Sequence, residues 1–253
     1  MSILGVSPVH TEAIFGIDNA SLIISAGSVA PFSGDAIVNA ANRRCLGGGG
    51  VDGAVSDAGG EPLYQARLAL PIKEGTKNTR VETGDAAITV GGELPASYCI
   101  HAVGPDYYDC EDDAEGDSLL YSAYEKGMQL AQQQTEPAIK TIAFSLLSAG
   151  IFRDKRSLKE VLRIAVKAVK ANAWEGLKEV HLVAWKEVEQ RILIKVCEEE
   201  RGEEGGLGEK VEEEGEKKRK GEEKEAGVER EEKKVKKVEE GDEKREVDCL
   251  RLD

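Results

Sequence analysis

Asn39-Ala-Ala-Asn42 runs through Arg43-Arg-Cys-Leu46 into Gly47-Gly-Gly-Gly50-Val51-Asp52-Gly53, which combines amides, bare backbone and one carboxylate within a short stretch. Four consecutive glycines lose much conformational freedom on folding, so a fold tolerates them where backbone must approach something closely. A helical pattern opens at Val51. A helix start carries unpaired N–H groups, and these hold anions, phosphate above all. Asp52 then falls in the first helical turn, where the helix dipole favours a carboxylate. The plainer alternative is a flexible turn with Asp52 as a helix-end charge. Position between a buried strand and a helix favours the anion site.

A second loop repeats the theme. Ser148-Ala149-Gly150-Ile151-Phe152-Arg153 follows an apolar run, and its small residues again expose backbone N–H groups. Ile151 and Phe152 offer apolar flanks to a ligand. Two such loops at the ends of two buried strands would grip a diphosphate from both sides.

The elements that must position these loops read as alternating strands and helices. Short apolar runs at Ser21–Ser25, Ala36–Asn39, Ala86–Val90, Tyr98–Val103, Thr141–Leu147 and Val180–Trp185 predict strands buried on both faces. Helical spacing covers Val51–Ala58, Pro62–Leu70, Ser118–Gln133 and Leu158–Asn172. Ser157-Leu-Lys-Glu160 has the form of a capping box. Such alternation predicts an α/β sandwich with a mostly parallel sheet. Ligands in these sheets sit beyond the carboxyl ends of the strands, where both loops fall.

Of the 253 residues, 40% are hydrophobic, but these thin out after Cys197. Residues 1–197 therefore form the globular domain, large enough to bury roughly 70% of its unfolded surface. Residues 198–253 form a charged tail with 23 acidic and 15 basic residues and too few apolar groups to offset its ordering entropy. Its Lys217-Lys-Arg-Lys220 run resembles a nuclear import patch, a common accident in such tails. The net charge of −14 argues against a basic nucleic-acid face. Five cysteines without a C-x-x-C pair suggest reduced thiols, and hence a cytoplasmic or nuclear protein. No metal-ligand cluster stands out, with only His10, His101 and His181 to add nitrogen ligands. The opening residues lack a basic n-region and a long apolar run, so neither a signal peptide nor a membrane span is expected.

Five segments together resemble the macro domain family, in family order and over roughly residues 20–195: DAIVNAAN at 35–42, GGGGVDGA at 47–54, TGDAAIT at 83–89, YCIHAVGP at 98–105 and AFSLLSAGIF at 143–152. The first loop is most like the MacroD-type hydrolases; LLSAGIF is more like the viral branch. The resemblance implies a three-layer α/β/α fold with a mixed, mostly parallel sheet that binds ADP-ribose. By motif, Asn42 would bind the distal ribose and Asp52 would orient or activate the attacking water. Gly48, Gly49, Gly50 and Val51, with Ser148, Ala149, Gly150, Ile151 and Phe152, would hold the pyrophosphate and distal ribose. Trp185 matches the position that stacks on adenine, an interaction worth roughly 1–3 kcal/mol by analogy with base stacking, with plain core packing as its alternative.

Three positions depart from the family pattern. Gly27-Ser28-Val29 stands where members carry Gly-Asp-Ile, whose aspartate accepts from the adenine amino group; Ser28 brings no charged acceptor. Ser56 stands near the place of a MacroD-type histidine, and Arg153 where the second loop continues with glycine; Arg153 would either reach a phosphate or the distal ribose or point into solvent, and solvent is the favoured expectation. Other tempting residues read as structural: His101 inside a strand, Cys45 without a neighbouring activating histidine, Trp174 at a helix end.

The leading function is a metal- and cofactor-independent hydrolase acting on mono-ADP-ribosylated acidic side chains or on O-acetyl-ADP-ribose. A second is a reader that binds ADP-ribose without turnover. A third is an interaction protein working through its tail. A monomer is expected, with ADP-ribose or a mono-ADP-ribosylated protein as partner.

Overall fold

The computed structural model describes residues 10–17 and 20–201; the charged segment beyond them, including the basic run at 217–220, lies outside. Seven strands form one sheet: β1 His10–Ile17, β2 Ala20–Ala26, β3 Ala36–Ala40, β4 Ala86–Val90, β5 Tyr98–Ala102, β6 Thr141–Ser145 and β7 Glu179–Ala184. Their order is β1-β2-β7-β6-β3-β5-β4. The five inner strands are parallel, and β1 and β4 close the edges antiparallel. Helices α1 Gly50–Leu68, α2 Asp113–Gln133 and α3 Leu158–Ala171 connect them, and residues 187–201 form α4. The expected mixed, mostly parallel α/β/α sandwich is what the chain builds. Among the described residues no helix is long and apolar enough to cross a membrane.

The two faces of the sheet differ in kind. Ile24, Val38, Ile100, Phe144 and Leu182 share one face and pack under α2 and α3, where Leu120, Tyr124, Met128, Val161 and Val169 are buried with them. On the α1 face, Ile37, Cys99, Ala143 and Val183 supply apolar cover. The side chains two residues along from these are Asn39, His101, Ser145 and His181, all buried. The expectation of strands apolar on both faces therefore fails on the α1 side. Polar groups are tolerated there because they pair: Ser25 Oγ with His181 Nδ1 at 3.0 Å, and Thr89 Oγ1 with His101 Nε2 at 2.9 Å.

Several boundaries depart from the sequence reading for local reasons. β1 carries no clear apolar pattern because an edge strand leaves much of its surface exposed. β6 stops at Ser145, since Leu147 N leaves the ladder and donates to Tyr124 Oη at 2.9 Å. The two helices predicted between Val51 and Leu70 are joined in α1 across Gly60, whose φ of 61° and ψ of −162° break the helix ahead of Pro62. Ser157 makes no capping hydrogen bond. Glu160 instead faces Arg163, with 3.6 Å between Oε1 and Nε, so the reciprocal half of the capping box is lost as well.

Burial of His101, with the Arg67 charge adding to it, holds its pKa well below the ordinary 6.5. His181 is lowered too, chiefly by burial. As pH falls below about 6.5 the unfolded chain takes up protons that the folded chain refuses, so stability is lost in that direction. The denaturation midpoint in urea should hold above about pH 7 and fall toward about pH 5. His101→Gln should show a shallower fall; equal slopes would remove His101 from this account.

Candidate functional site

β3 delivers the chain to the first loop with Asn39 turned under α1. Beyond it Asn42 is exposed, and its amide is already engaged: Oδ1 accepts from Arg44 N at 3.0 Å and Nδ2 donates to Gly47 O at 2.9 Å. These two bonds pinch residues 42–47 into a compact turn. Cys45 takes a positive φ of 55° beneath it, packed with Val81 and Val103. Burial pushes the Cys45 thiol up to about 12, and Cys99 likewise, which disfavours the reactive thiolate at both. Gly47 and Gly50 take φ of 94° and 59°, which ordinary side chains rarely adopt.

The first loop hands over to α1 at Gly49, which caps the helix with no side-chain hydrogen bond. The first-turn N–H groups are therefore left for an outside acceptor. Gly48, Gly49 and Gly50 are exposed, and a Cβ at Gly49 or Gly50 would meet nothing within 4 Å. At Gly48 a Cβ would lie 3.1 Å from Asn42 Nδ2 and 3.1 Å from Asp52 Oδ2, so this glycine is the gap between those two side chains.

Asp52 is 3% exposed. Its Oδ1 accepts from Asn39 Nδ2 at 2.8 Å and lies 3.2 Å from Arg67 Nη2. Arg67 is equally buried and also donates through Nη1 to Ser56 Oγ at 2.7 Å; Ser56 in turn donates to the Asp52 carbonyl at 2.7 Å. Oδ2 of Asp52 is buried with no hydrogen-bond partner. One oxygen is thus fixed from two sides, while the other sits free under Gly48.

The second loop is tied to the first by Ser145, whose hydroxyl donates to Val38 O at 2.8 Å and accepts from Ala40 N at 2.9 Å. Ser148 takes φ 53° and donates to Pro105 O at 2.6 Å, so its hydroxyl braces the loop. Ile151 and Phe152 stand out at 89% and 51% exposure. Arg153, expected in solvent, folds back instead and donates to the Arg156 carbonyl.

Both loops line one cavity of about 410 Å³, which Gly50, Val51, Ala149 and Gly150 share with Ser28, Val29 and Trp185. Asn42, Ser148 and Phe152 line a second cavity of about 520 Å³ together with Arg44, Gly104 and Asp106. Gly48, Gly49, Ile151 and Asp52 line neither. Sequence reasoning missed Asn39 and Arg67, which hold Asp52, and Glu189, which lines the smaller cavity. The available signal for Arg67 was a charged residue four after Leu63 on a helix face otherwise read as core. Among the described residues no cluster of His, Cys, Asp and Glu is placed to hold a metal ion.

The profile of the Macro domain matches residues 38–165, half of the chain. The chain belongs to the macro domain family. A macro domain-containing protein of Caldanaerobacter subterraneus is 37% identical over 175 residues, covering 68% of this chain and 93% of the relative. An O-acetyl-ADP-ribose deacetylase of Escherichia fergusonii is 40% identical over 143 residues, 56% of this chain and 75% of the relative. Among solved structures, the Oceanobacillus iheyensis macrodomain with ADP is 25% identical, with a TM-score of 0.67 over 78% of this chain and all of that one. That macrodomain has also been solved with an asparagine changed to alanine, a glycine seven residues on changed to valine, and an aspartate three residues further changed to alanine. Asn42, Gly49 and Asp52 of this macro domain have the same spacing.

The two neighbouring glycines should behave differently on substitution. Gly48→Ala forces Asn42 and Asp52 apart and should lower Tm by about 2–4 °C, the effect of about 1 kcal/mol in a domain this size. Gly49→Ala meets open space and should stay within about 0.5 kcal/mol of wild type. Thermal melts of both variants check this, and an equal loss in the two would contradict the geometry.

Proposed function

We propose that this macro domain binds ADP-ribose across its two loops and hydrolyses mono-ADP-ribose from acidic side chains of proteins, or deacetylates O-acetyl-ADP-ribose. One observation carries the reading: the Asp52 carboxylate, held through one oxygen by Asn39 and Arg67, keeps its other oxygen unpartnered under Gly48 and beside Asn42. In this reading the pyrophosphate rests on the N–H groups of Gly48–Val51 and of Ser148–Gly150. Ile151 and Phe152 flank the distal ribose, and Trp185 lies against adenine. The second amide hydrogen of Asn42, not used by Gly47, fixes a ribose hydroxyl.

Cleavage of a bond to the anomeric carbon passes through a cationic, oxocarbenium-like sugar. A carboxylate close to that carbon stabilises the charge and takes the proton of the attacking water. Because Oδ1 is anchored, Oδ2 needs little reorganisation to do so. The scheme calls on no metal ion. Deacetylation breaks an acetyl ester rather than a bond to the anomeric carbon, so the deacetylase name of the Escherichia relative supports the choice of an ADP-ribose ester as substrate, and the shared spacing supports Asn42, Gly49 and Asp52 as the residues that act on it.

A second reading has its own observation. Asp52 is almost sealed from water and paired with Arg67, which suits a brace beneath the glycine loop of a domain that reads ADP-ribose without cutting it. Release of ADP-ribose from a mono-ADP-ribosylated protein separates the two. Asp52→Asn keeps the volume and a hydrogen bond, and should lower the release rate about 10²-fold or more while leaving ADP-ribose affinity nearly unchanged. Asp52→Ala is the poorer variant, because it strands the buried Arg67 charge at a cost of about 3–5 kcal/mol. Tight calorimetric binding by wild type with no release at high protein concentration would establish the reader instead.

A further inference from the structure

The second loop leaves the core early. In its short helical turn Ile151–Arg153 no residue is buried, so packing alone does not fix where Phe152 stands. Asp154 ends the turn at φ 48° and ψ −120°. A residue with a side chain keeps such a backbone only where its surroundings enforce it. The enforcement comes from α2. Arg156 donates from Nε to Asp117 Oδ1 at 2.9 Å and from Nη2 to Asp117 Oδ2 at 2.5 Å. Arg153 donates in turn to the Arg156 carbonyl, which closes the turn on this clamp. Asp117 Oδ1 also accepts from Tyr107 Oη at 2.9 Å. Burial, with the Asp117 carboxylate beside it, pushes the Tyr107 hydroxyl above its ordinary range, so it stays a donor. The Tyr107 ring lies against Gly116, where a Cβ would come within 2.5 Å of it. At the other end of the loop Ser148 is buried and donates to Pro105 O. The second loop is thus tied to the segment 105–107 at its start and to the first turns of α2 at its end. Phe152 lines the 520 Å³ cavity with Asn42 between these two ties.

We infer that Asp117 is a positioning residue: by holding two nitrogens of Arg156 it fixes the exposed end of the second loop, and so sets where Phe152 stands against the distal ribose. The inference rests on the ADP-ribose reading and adds to it what aims Phe152. A two-point contact between a planar guanidinium and a carboxylate fixes orientation as well as distance, which one hydrogen bond does not. The pair is partly in water, with side-chain exposures of 19% for Arg156 and 30% for Asp117. Ion pairs so placed add little to global stability. The effect of this one therefore falls on the turn it anchors rather than on the core. Ser148 and Ala149, nearer the pyrophosphate, are buried and keep their place through the Pro105 bond.

Calorimetric titration of the full chain with ADP-ribose and with ADP, which lacks the distal ribose, tests this. Wild type should bind ADP-ribose the tighter. Asp117→Asn keeps an acceptor for Tyr107 and loses the second acceptor for Arg156. It should weaken ADP-ribose binding roughly tenfold, the ratio that about 1.4 kcal/mol gives, and leave ADP within about twofold. In a Phe152→Ala background the same change should cost nothing further, because the two residues act through one contact. An equal loss for both ligands would reduce Asp117 to a structural brace and overturn the inference. No loss for either ligand, or a full further loss in Phe152→Ala, would also overturn it. So would a wild type that binds the two ligands equally, with ADP-ribose binding itself intact. Failure of wild type to bind ADP-ribose would overturn that reading and this one together. If circular dichroism shows Asp117→Asn unfolded, Arg156→Lys, which keeps the charge without the fork, carries the same expectations.

Discussion

Between Asp52 and Arg67 lies a 3.2 Å contact with almost no water on either side. The two residues open and close the same helix. In one straight helix their Cα atoms would stand roughly 22 Å apart, beyond the reach of an aspartate and an arginine side chain. The break at Gly60 brings them together. Its positive φ turns the second half of α1 back, and a side chain there would meet the Glu93 carboxylate at 2.7 Å. The glycine loop, the helix start and the buried carboxylate thus all depend on one ion pair that a helix kink makes geometrically attainable. A buried pair is a poor source of net stability against an apolar replacement of the same shape. What it supplies here is direction: one oxygen of Asp52 is held, so the other has one place to be.

How much of this was legible follows from the range of each interaction. The glycine run, the small-residue second loop and the strands that carry them are local signals, and a reader of the chain places them where the fold does. The departures are long-range or compensated. Arg67 reaches a residue at the other end of its helix, and no local pattern announces that. Ser157 and Glu160 have the spacing of a capping box, yet Arg163 competes for the carboxylate. Glu189 carries the same reciprocal bond without a Ser or Thr at the cap, since Lys186 stands there. Its place in a cavity with Ser28 depends on the parallel pairing of β2 with β7, which sets Ala26 beside Ala184. β1 went unread because an edge strand needs only one paired side and little apolar alternation.

Asn42 shows how the same local chemistry misleads and informs. Its residue type suggests a hand open to the ligand. In the fold most of that hand is closed on Arg44 and Gly47, and the remaining N–H is aimed by those bonds. Ordering of the loop is thereby settled at folding rather than at binding, the general route by which a site avoids immobilisation cost. Ser145 extends this rigidity to the second loop by bonding to two backbone groups of β3.

Trp185, Ile151 and Phe152 remain as large apolar surfaces held in water at the loops that line the two cavities. A ligand that covers them removes apolar area from solvent while the scaffold beneath stays as it is. The signature of such an event is thermal: a negative heat-capacity change on binding, so that the enthalpy grows more favourable with every degree of warming. Occupation of these cavities would register in the temperature dependence of its heat as plainly as in its charge.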